Sequence, residues 1–155
     1  METLHFPEFL RAYNVLYKET NAIYHQLAGY FGLSDTAFWL LYSLRETDRP
    51  LNQAELCSIL CASKQTVNSA LKNLEEEGLI RLESAQGDRR SKEVFLTEAG
   101  SELAAASVDR VLAIEEQAAL RLSPEERLAI LALERRHLEA LRQEAERLLS
   151  EHKED

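Results

Sequence analysis

The sequence predicts a mainly α-helical chain that carries one small β-hairpin wing. Glycine and proline are scarce, with five and three among 155 residues, so long irregular stretches should be few. Apolar residues recur at helical spacing along most of the chain, whereas a stretch after residue 78 alternates apolar and polar residues as a half-buried strand does. The length suits one compact unit, which we expect to span residues 1–155.

Two helices open the chain. The apolar residues of Glu8–Phe31 form a broad face at helical spacing, and Gly32 is expected to end this helix in a left-handed conformation. Ser34 is a favourable cap for a second helix, Asp35–Glu46, whose first residue suits the positive end of the helix dipole. Apolar residues on most sides of the second helix predict that it is central and buried.

Two shorter helices follow a turn at residues 47–50. The third helix runs from Asn52 to Leu60, and Glu55 completes a capping box with its first residue. Ser63 caps the fourth helix, Lys64–Glu77, which ends at Gly78. Two short helices joined by a tight corner are typical of a helix-turn-helix.

A hairpin comes directly after the fourth helix. Leu79–Glu83 alternates apolar and polar residues, Ser84–Lys92 is a polar loop with basic residues, and Glu93–Leu96 is the return strand. A helix-turn-helix followed by such a hairpin predicts a winged helix-turn-helix lobe over residues 34–97.

The rest of the chain is predicted to be helical. Thr97 caps a fifth helix from Glu98 towards Leu120, and Ser123 with Pro124 begins a sixth helix that runs to about residue 150. The sixth helix carries a narrow apolar seam formed by Leu128, Leu131, Leu138, Leu141, Ala145 and Leu148.

The helices that flank the lobe, in residues 1–33 and 98–155, present apolar stripes that a small lobe cannot cover alone. The same helices of a second copy would cover them, which predicts a homodimer with N- and C-terminal dimerisation helices. An antiparallel packing of these helices within one chain is the alternative.

The net charge of −9 argues at first sight against nucleic acid. However, the stretch 51–97 holds six basic and seven acidic residues, so most of the acidity lies in the flanks. No secretory signal and no apolar run of about 20 residues is present, so we expect a cytoplasmic protein without a membrane partner. The two cysteines, Cys57 and Cys61, are too few for a disulfide scaffold.

Two motifs carry a resemblance to a known family. Residues Asp88 to Thr97, followed by Gly100, resemble the wing signature of the MarR family, which reads Asp-x-Arg, five residues, Leu-Thr, two residues, Gly. Leu74-Glu-Glu-Glu-Gly-Leu-Ile80 is similar to the family's exit from the recognition helix. The order of elements also resembles that of the family over nearly the whole chain.

The resemblance implies a sequence-specific transcription regulator that binds duplex DNA as a homodimer. A repressor that a small-molecule effector releases is the expected form, and an activator is the alternative. The resemblance also implies that the effector lies between the dimerisation helices and the winged lobe, in a pocket lined by Tyr13, Tyr17, Tyr24 and Trp39. Many members carry arginine where this chain has Ser69, so a different base preference is expected.

A DNA-reading helix needs short polar groups near its N-terminus, where it enters the major groove. The fourth helix supplies Ser63, Lys64, Gln65, Thr66, Asn68, Ser69 and Lys72. Gln65 and Asn68 can each pair with adenine, while Lys64 and Lys72 are expected to meet phosphates.

Four charged residues are expected at the hairpin tip: Asp88, Arg89, Arg90 and Lys92. Arginine suits a narrow minor groove, where the potential is most negative. The resemblance implies that Arg90 probes this groove and that Asp88 pairs with an arginine to hold the shape of the wing.

Two other functions stay open. The acidic balance also fits a winged-helix module that binds proteins, and the cysteines also fit a thiol-based redox sensor. Leu56, Ile59 and Leu60 surround the cysteines, which argues against a redox sensor. The simpler interpretation is that both cysteines are small core residues. The histidines are scattered and no nucleophile–base pair or phosphate loop is recognised, so neither an enzyme, nor a metal, nor a cofactor is predicted.

Overall fold

The computed structural model describes residues 5–47, 49–85 and 88–151, and within these ranges every side chain except those of residues 85 and 88–91. The chain is mainly helical with one small antiparallel sheet, which confirms the predicted fold class. The elements in chain order are α1 (Phe6–Tyr30), α2 (Asp35–Glu46), β1 (Leu51–Asn52), α3 (Gln53–Leu60), α4 (Lys64–Glu76), β2 (Ile80–Ala85), β3 (Asp88–Leu96), α5 (Glu98–Ala106), α6 (Val108–Ala119) and α7 (Pro124–Glu151).

Helix α1 begins two residues earlier than predicted, because Pro7 sits at its start, where its missing N–H is not needed. Its end follows the prediction. Gly32 has φ +72°, and the backbone N–H of Leu33 donates to the carbonyl of Ala28 at 2.9 Å. This left-handed cap turns the chain towards α2, whose predicted bounds are confirmed.

The core of the lobe forms where α2, α3 and α4 pack on the sheet. Leu40 and Leu44 of α2 meet Val67 and Leu71 of α4, and all four are buried. The remaining buried members are Leu51, Leu56, Leu74, Ile80 and Val94. The inward stripe of α4 thus leaves its polar positions on the outside.

The sheet has a strand that was not predicted from the sequence. Leu51–Asn52 pairs antiparallel with Val94 and Glu93, which gives the strand order β1-β3-β2. Two residues are too few to show a period-two pattern, so hydrophobic spacing cannot reveal this strand. Leu51 is nevertheless almost fully buried, and it fixes the wing against the start of α3.

The wing strands are longer than predicted. The stretch Ser84–Lys92, predicted as a loop, is largely strand, since β2 runs to Ala85 and β3 begins at Asp88. The sequence of this stretch is polar without alternating apolar residues, so hydrophobic spacing cannot reveal these strand residues. The strand register shifts between Ser84 and Ala85.

The predicted fifth helix is two helices, and the single helix Glu98–Leu120 was wrong. The break lies at Ser107, which has φ −121° and ψ −72° and is completely buried. Its hydroxyl donates to the carbonyl of Leu103 at 2.6 Å. A serine hydroxyl that donates to the carbonyl four residues earlier can bend or interrupt a helix. Because no glycine or proline stands at this position, the residue pattern did not indicate the break.

The chain divides into two compact units, Met1–Val111 and Leu112–Asp155. In the second unit, α7 begins with the predicted cap, because Ser123 and Glu126 each accept the other's backbone N–H. Every described residue of α7 is at least partly exposed, including the leucines of its apolar seam. Within the part of the chain that the structure describes, no helix has the length and apolar character to cross a membrane.

Candidate nucleic-acid interface

Helix α4 presents its N-terminal turn to solvent. The hydroxyl of Ser63 accepts the backbone N–H of Thr66 at 3.1 Å, and the two side-chain oxygens lie 2.8 Å apart. This cap fixes where the helix begins. All of the polar residues predicted to read DNA on this helix are exposed, namely Ser63, Lys64, Gln65, Thr66, Asn68, Ser69 and Lys72.

An open groove of about 850 Å³ lies between α3, α4 and the wing strands. Lys64 and Lys72 line it from α4, and Lys92 lines it from β3. We call it the lysine groove after these three residues. Lys92 reaches it because it lies two residues before the buried Val94, on the same face of β3. The structure thus brings the fourth helix and the wing to one surface.

The charges of the lysine groove are mostly uncompensated. Lys72 lies 3.6 Å from Glu76, but both side chains are more than 60% exposed, so this ion pair is weak. Among the residues that the structure describes, no carboxylate pairs with Lys64 or Lys92. Glu75 also lines the groove, and three lysines against one carboxylate leave an excess of positive charge.

The lysine groove also contains residues that were not predicted from the sequence, among them Gln53. Gln53, the first residue of α3, lines it, and its side-chain amide donates to the side-chain oxygen of Asn68 on α4. The only signal for it was its position in the first turn of a helix that packs across the reading helix. Gln53 therefore contacts Asn68, which was predicted to pair with adenine.

Helix α3 is fixed at the groove by its own cap. The carboxylate of Glu55 accepts the backbone N–H of Asn52 at 2.8 Å, and Arg49 donates to it at 2.7 Å. The bond from Arg49, and next the backbone bond, hold the pKa of Glu55 below its ordinary value. The carboxylate stays ionised and keeps the start of α3 in place.

The end of α4 is tied to the end of the wing. Gly78 has φ +72°, and the backbone N–H of Leu79 closes the helix by donating to Leu74 at 2.9 Å. The hydroxyl of Thr97 donates to the carbonyl of Gly78 at 2.7 Å. A Cβ added to Gly100 would lie 1.8 Å from the carbonyl oxygen of Leu79. These contacts give a physical reason for Gly78 in the exit from the recognition helix and for Thr97 and Gly100 in the wing signature.

Comparisons with known proteins agree with this geometry. The model of the MarR family matches residues 31–91. The HTH-type transcriptional repressor NicR of Pseudomonas putida is 32% identical over 124 residues, which cover 80% of this chain and 78% of NicR. The chain belongs to the MarR family.

Solved structures of MarR-like proteins share the fold. The MepR–DNA complex of Staphylococcus aureus has 25% identity and a TM-score of 0.68, with 84% of this chain and 96% of MepR covered. Bordetella bronchiseptica BpsR, whose DNA binding is regulated by 6-hydroxynicotinic acid, has 25% identity and a TM-score of 0.66, with 88% and 97% covered.

At the wing tip of this MarR chain, residues 85 and 88–91 are described in their backbone alone, and residues 86–87 lie outside the described residues. Asp88, Arg89 and Arg90 begin β3, but their side chains lie outside the described ones. The roles assigned to them therefore stay predictions. Of the four charged residues predicted at the tip, Lys92 is the one whose side chain is described.

The four aromatic residues assigned to an effector pocket lie on α1 and α2. Tyr24 and Trp39 are neighbours, with ring centroids 4.9 Å apart. Trp39 lines a cleft that contains none of the three tyrosines. Tyr17 is 64% exposed, and Tyr13 stacks on Phe9 with ring centroids 5.9 Å apart. The pocket stays a prediction.

The interpretation of both cysteines as core residues holds for one of them. Cys57 is half-buried, packs on the core of the lobe and lines the lysine groove. Cys61 is exposed and lies beyond the end of α3, with φ +48°. Its core assignment was wrong, because the chain turns at this residue and points it outward.

Proposed function

We propose that this MarR-family chain is a transcription regulator, acting as a repressor, that binds duplex DNA through the lysine groove and the polar face of α4. The observation that carries the proposal is the convergence of Lys64, Lys72 and Lys92 from two separate elements beside the exposed start of α4. The repressor NicR and the DNA-bound MepR, both similar to this chain, support it.

The lysine groove and the polar face of α4 have different roles in DNA binding. Lysines that meet phosphates release counterions and set the register of the protein on DNA, but they carry no sequence information. Gln65, Asn68 and Ser69 are exposed on α4 and supply donors and acceptors for base edges.

The overall charge of −9 does not oppose this function. Acidic residues that lie away from the groove repel the duplex from other faces, and thus favour the docking orientation in which the lysines face phosphates. The same repulsion lowers the affinity for DNA of any sequence. Contacts with the bases then contribute a larger share of the binding free energy.

We propose a homodimer, because two helices of the chain carry unpaired apolar faces. On α1, Phe6, Val15 and Leu16 are more than half exposed, and on α7 the same holds for Leu131 and Leu138. A second copy that covers these residues removes their apolar surface from water. This burial stabilises the dimer by about 25 cal/mol for each Å² of apolar surface. Two-fold symmetry then predicts a pseudo-palindromic operator.

We also propose that a small-molecule effector releases the repressor, since the DNA binding of the similar BpsR is regulated by 6-hydroxynicotinic acid. The coupling is reciprocal, so DNA must weaken the binding of an effector by the same factor. A repressor of this kind acts in the compartment that holds the DNA, here the cytoplasm.

Fluorescence anisotropy tests the proposal with labelled duplexes from upstream of the gene and with random sequence. We expect tighter binding to the upstream duplex and an affinity that falls steeply with salt. Lys92→Ala should make the slope of log K against log salt less steep, by about one for each phosphate that this lysine neutralises. Lys18→Ala, an exposed change on α1, is the control. Binding no tighter than to random DNA would contradict the proposal and favour a protein-binding module.

A further inference from the structure

The two faces of the wing carry different side chains, because side chains alternate along a strand. One face lines the lysine groove through Leu82, Val94 and Lys92. The other face carries two pairs of residues that lie opposite each other in the strand register, namely Arg81 with Phe95, and Glu83 with Glu93. We call it the outer face of the wing.

Arg81 joins the two wing strands on the outer face through three contacts. Its Nε donates to the carboxylate of Glu83 on β2 at 2.5 Å, and its Nη1 donates to the carbonyl of Leu96 on β3 at 3.2 Å. Its Cζ lies 5.0 Å from the centroid of the Phe95 ring, also on β3. The ion pair is half exposed and weak by itself. Together, however, the three contacts hold one guanidinium between both strands.

The carboxylates of Glu83 and Glu93 repel each other across the strands, because like charges directly opposite destabilise a strand pair. Arg81 lies against the first of them. Arg49 donates to Glu55 at 2.7 Å, and its pKa is raised chiefly by the bond and the charge of Glu55 and least by the charge of Glu93. The repulsion is therefore offset from the side of β2, by Arg81.

The repelling pair adjoins Lys92 of the lysine groove. Ser84 and Lys92 are the next opposite residues towards the tip, and the strand register shifts just beyond Ser84. Strand β1 pairs with β3 at Val94 and Glu93. Lys92 thus follows directly after the last position of β3 that the described part of β1 supports. Strands that separate at Glu83 and Glu93 would move Lys92 with them.

We propose that Arg81 is a positioning residue of the DNA interface, which keeps Lys92 in the lysine groove by joining β2 to β3 on the outer face. Its effect on DNA rests on the proposed function, whereas its effect on the strands does not. The planar guanidinium is required as well as the charge, because the compact ammonium of a lysine cannot contact the carboxylate, the carbonyl and the ring together.

Hydrogen exchange of the full-length protein without DNA tests the effect on the strands. Arg81→Lys keeps the charge but removes the planar guanidinium. We expect exchange to accelerate by about threefold or more in segments 80–84 and 92–96, and to stay unchanged in α4. Arg121→Lys, the same change at an exposed arginine after α6, should alter neither. Unchanged exchange in the two strand segments, or equal acceleration in α4, would overturn the proposal.

Anisotropy with the upstream duplex at several salt concentrations tests the effect on DNA. Arg81→Lys should weaken binding by about threefold or more and make the slope of log K against log salt less steep, as Lys92→Ala does. A role limited to stability would leave this slope unchanged in protein that remains folded. A slope equal to that of the wild type would therefore overturn the proposal.

A double variant distinguishes positioning from a direct phosphate contact. If Arg81 acts through Lys92, the slope of Arg81→Gln with Lys92→Ala should equal that of Lys92→Ala alone. A slope that is less steep by about one more would mean that Arg81 itself neutralises a phosphate, and the proposal would be wrong. Absence of DNA binding in every protein, wild type included, would refute the proposed function and with it the role of Arg81 at DNA. The exchange result would stand.

Discussion

The hydroxyl of Thr97 donates a 2.7 Å hydrogen bond to the carbonyl of Gly78. The two residues are 19 positions apart, and they mark the end of β3 and the end of α4. The same hydroxyl caps α5 by accepting the N–H of Gly100 at 3.0 Å. One side chain therefore joins the reading helix, the wing and the helix that leaves the lobe.

Thr97→Val should destabilise the protein by about 1–2 kcal/mol, because it keeps the shape of the side chain but leaves the carbonyl of Gly78 and the N–H of Gly100 without this partner. Urea unfolding at a fixed protein concentration measures the change. Thr97→Ser keeps the hydroxyl and should cost less than half as much. Equal destabilisation in the two variants would show that the hydroxyl is unimportant.

Gly100→Ala should destabilise by more than about 3 kcal/mol or prevent folding, since its Cβ would lie 1.8 Å from a backbone oxygen that cannot move without displacing the end of α4. Gly29→Ala is the matched control, because the added Cβ meets open space within α1 and should be neutral or stabilising. Thermal unfolding followed by circular dichroism compares them. A mild effect at Gly100 would mean that the wing and α4 are packed less closely.

Cys61→Gly should stabilise the protein by about 0.5–1 kcal/mol. Cys61 has φ +48° at the corner between α3 and α4, where glycine is free of the steric cost that a Cβ imposes. Cys61→Ala removes the thiol but keeps the Cβ, so its stability should stay near that of the wild type. Urea midpoints of the three proteins distinguish the backbone effect from any effect of the sulfur. A gain in the alanine variant equal to that of glycine would contradict the account.

Asp109→Asn should cost about 0.5–1 kcal/mol at pH 7. Arg45 at the end of α2 forms two hydrogen bonds with Asp109 in the first turn of α6, at 2.8 and 2.6 Å, and the pair is more than one third exposed. These bonds hold the pKa of Asp109 below its ordinary value. A lowered pKa contributes stability above the ordinary aspartate range, and this contribution disappears as pH falls through the lowered value.

The stability difference between wild type and Asp109→Asn should therefore narrow as the pH falls from about 7 towards 3. Urea unfolding across this range measures it. Glu116→Gln, an exposed charge removal on the same helix, should show no comparable narrowing. A difference that is constant with pH would mean that the ion pair does not contribute to stability.

Local chemistry made much of the fold predictable from sequence. Ser34 and Ser63 are caps at the predicted positions, and Gly32 and Gly78 have the positive φ that ends their helices. Such signals lie within a few residues of one another and depend little on the rest of the molecule. They locate α2 and α4 correctly and hence place the polar face of α4 on the surface.

The missed features depend on tertiary contacts. Strand β1 exists because Leu51 is buried beside Val94, and the break at Ser107 lies in a buried segment whose sequence still has helical spacing. Gln53 joins the lysine groove only because α3 crosses near Asn68. None of these leaves a periodic pattern. The wing-tip side chains and the effector pocket remain predictions from the resemblance.

Hydroxyl-radical footprinting on the upstream duplex tests most directly whether α4 and the wing read DNA in two symmetric copies. We predict two protected stretches related by a dyad, with centres about ten base pairs apart. Gln65→Ala should weaken both stretches equally, because each copy contributes the same helix. One protected stretch without a dyad, or protection that Gln65→Ala together with Lys92→Ala leaves intact, would contradict the account.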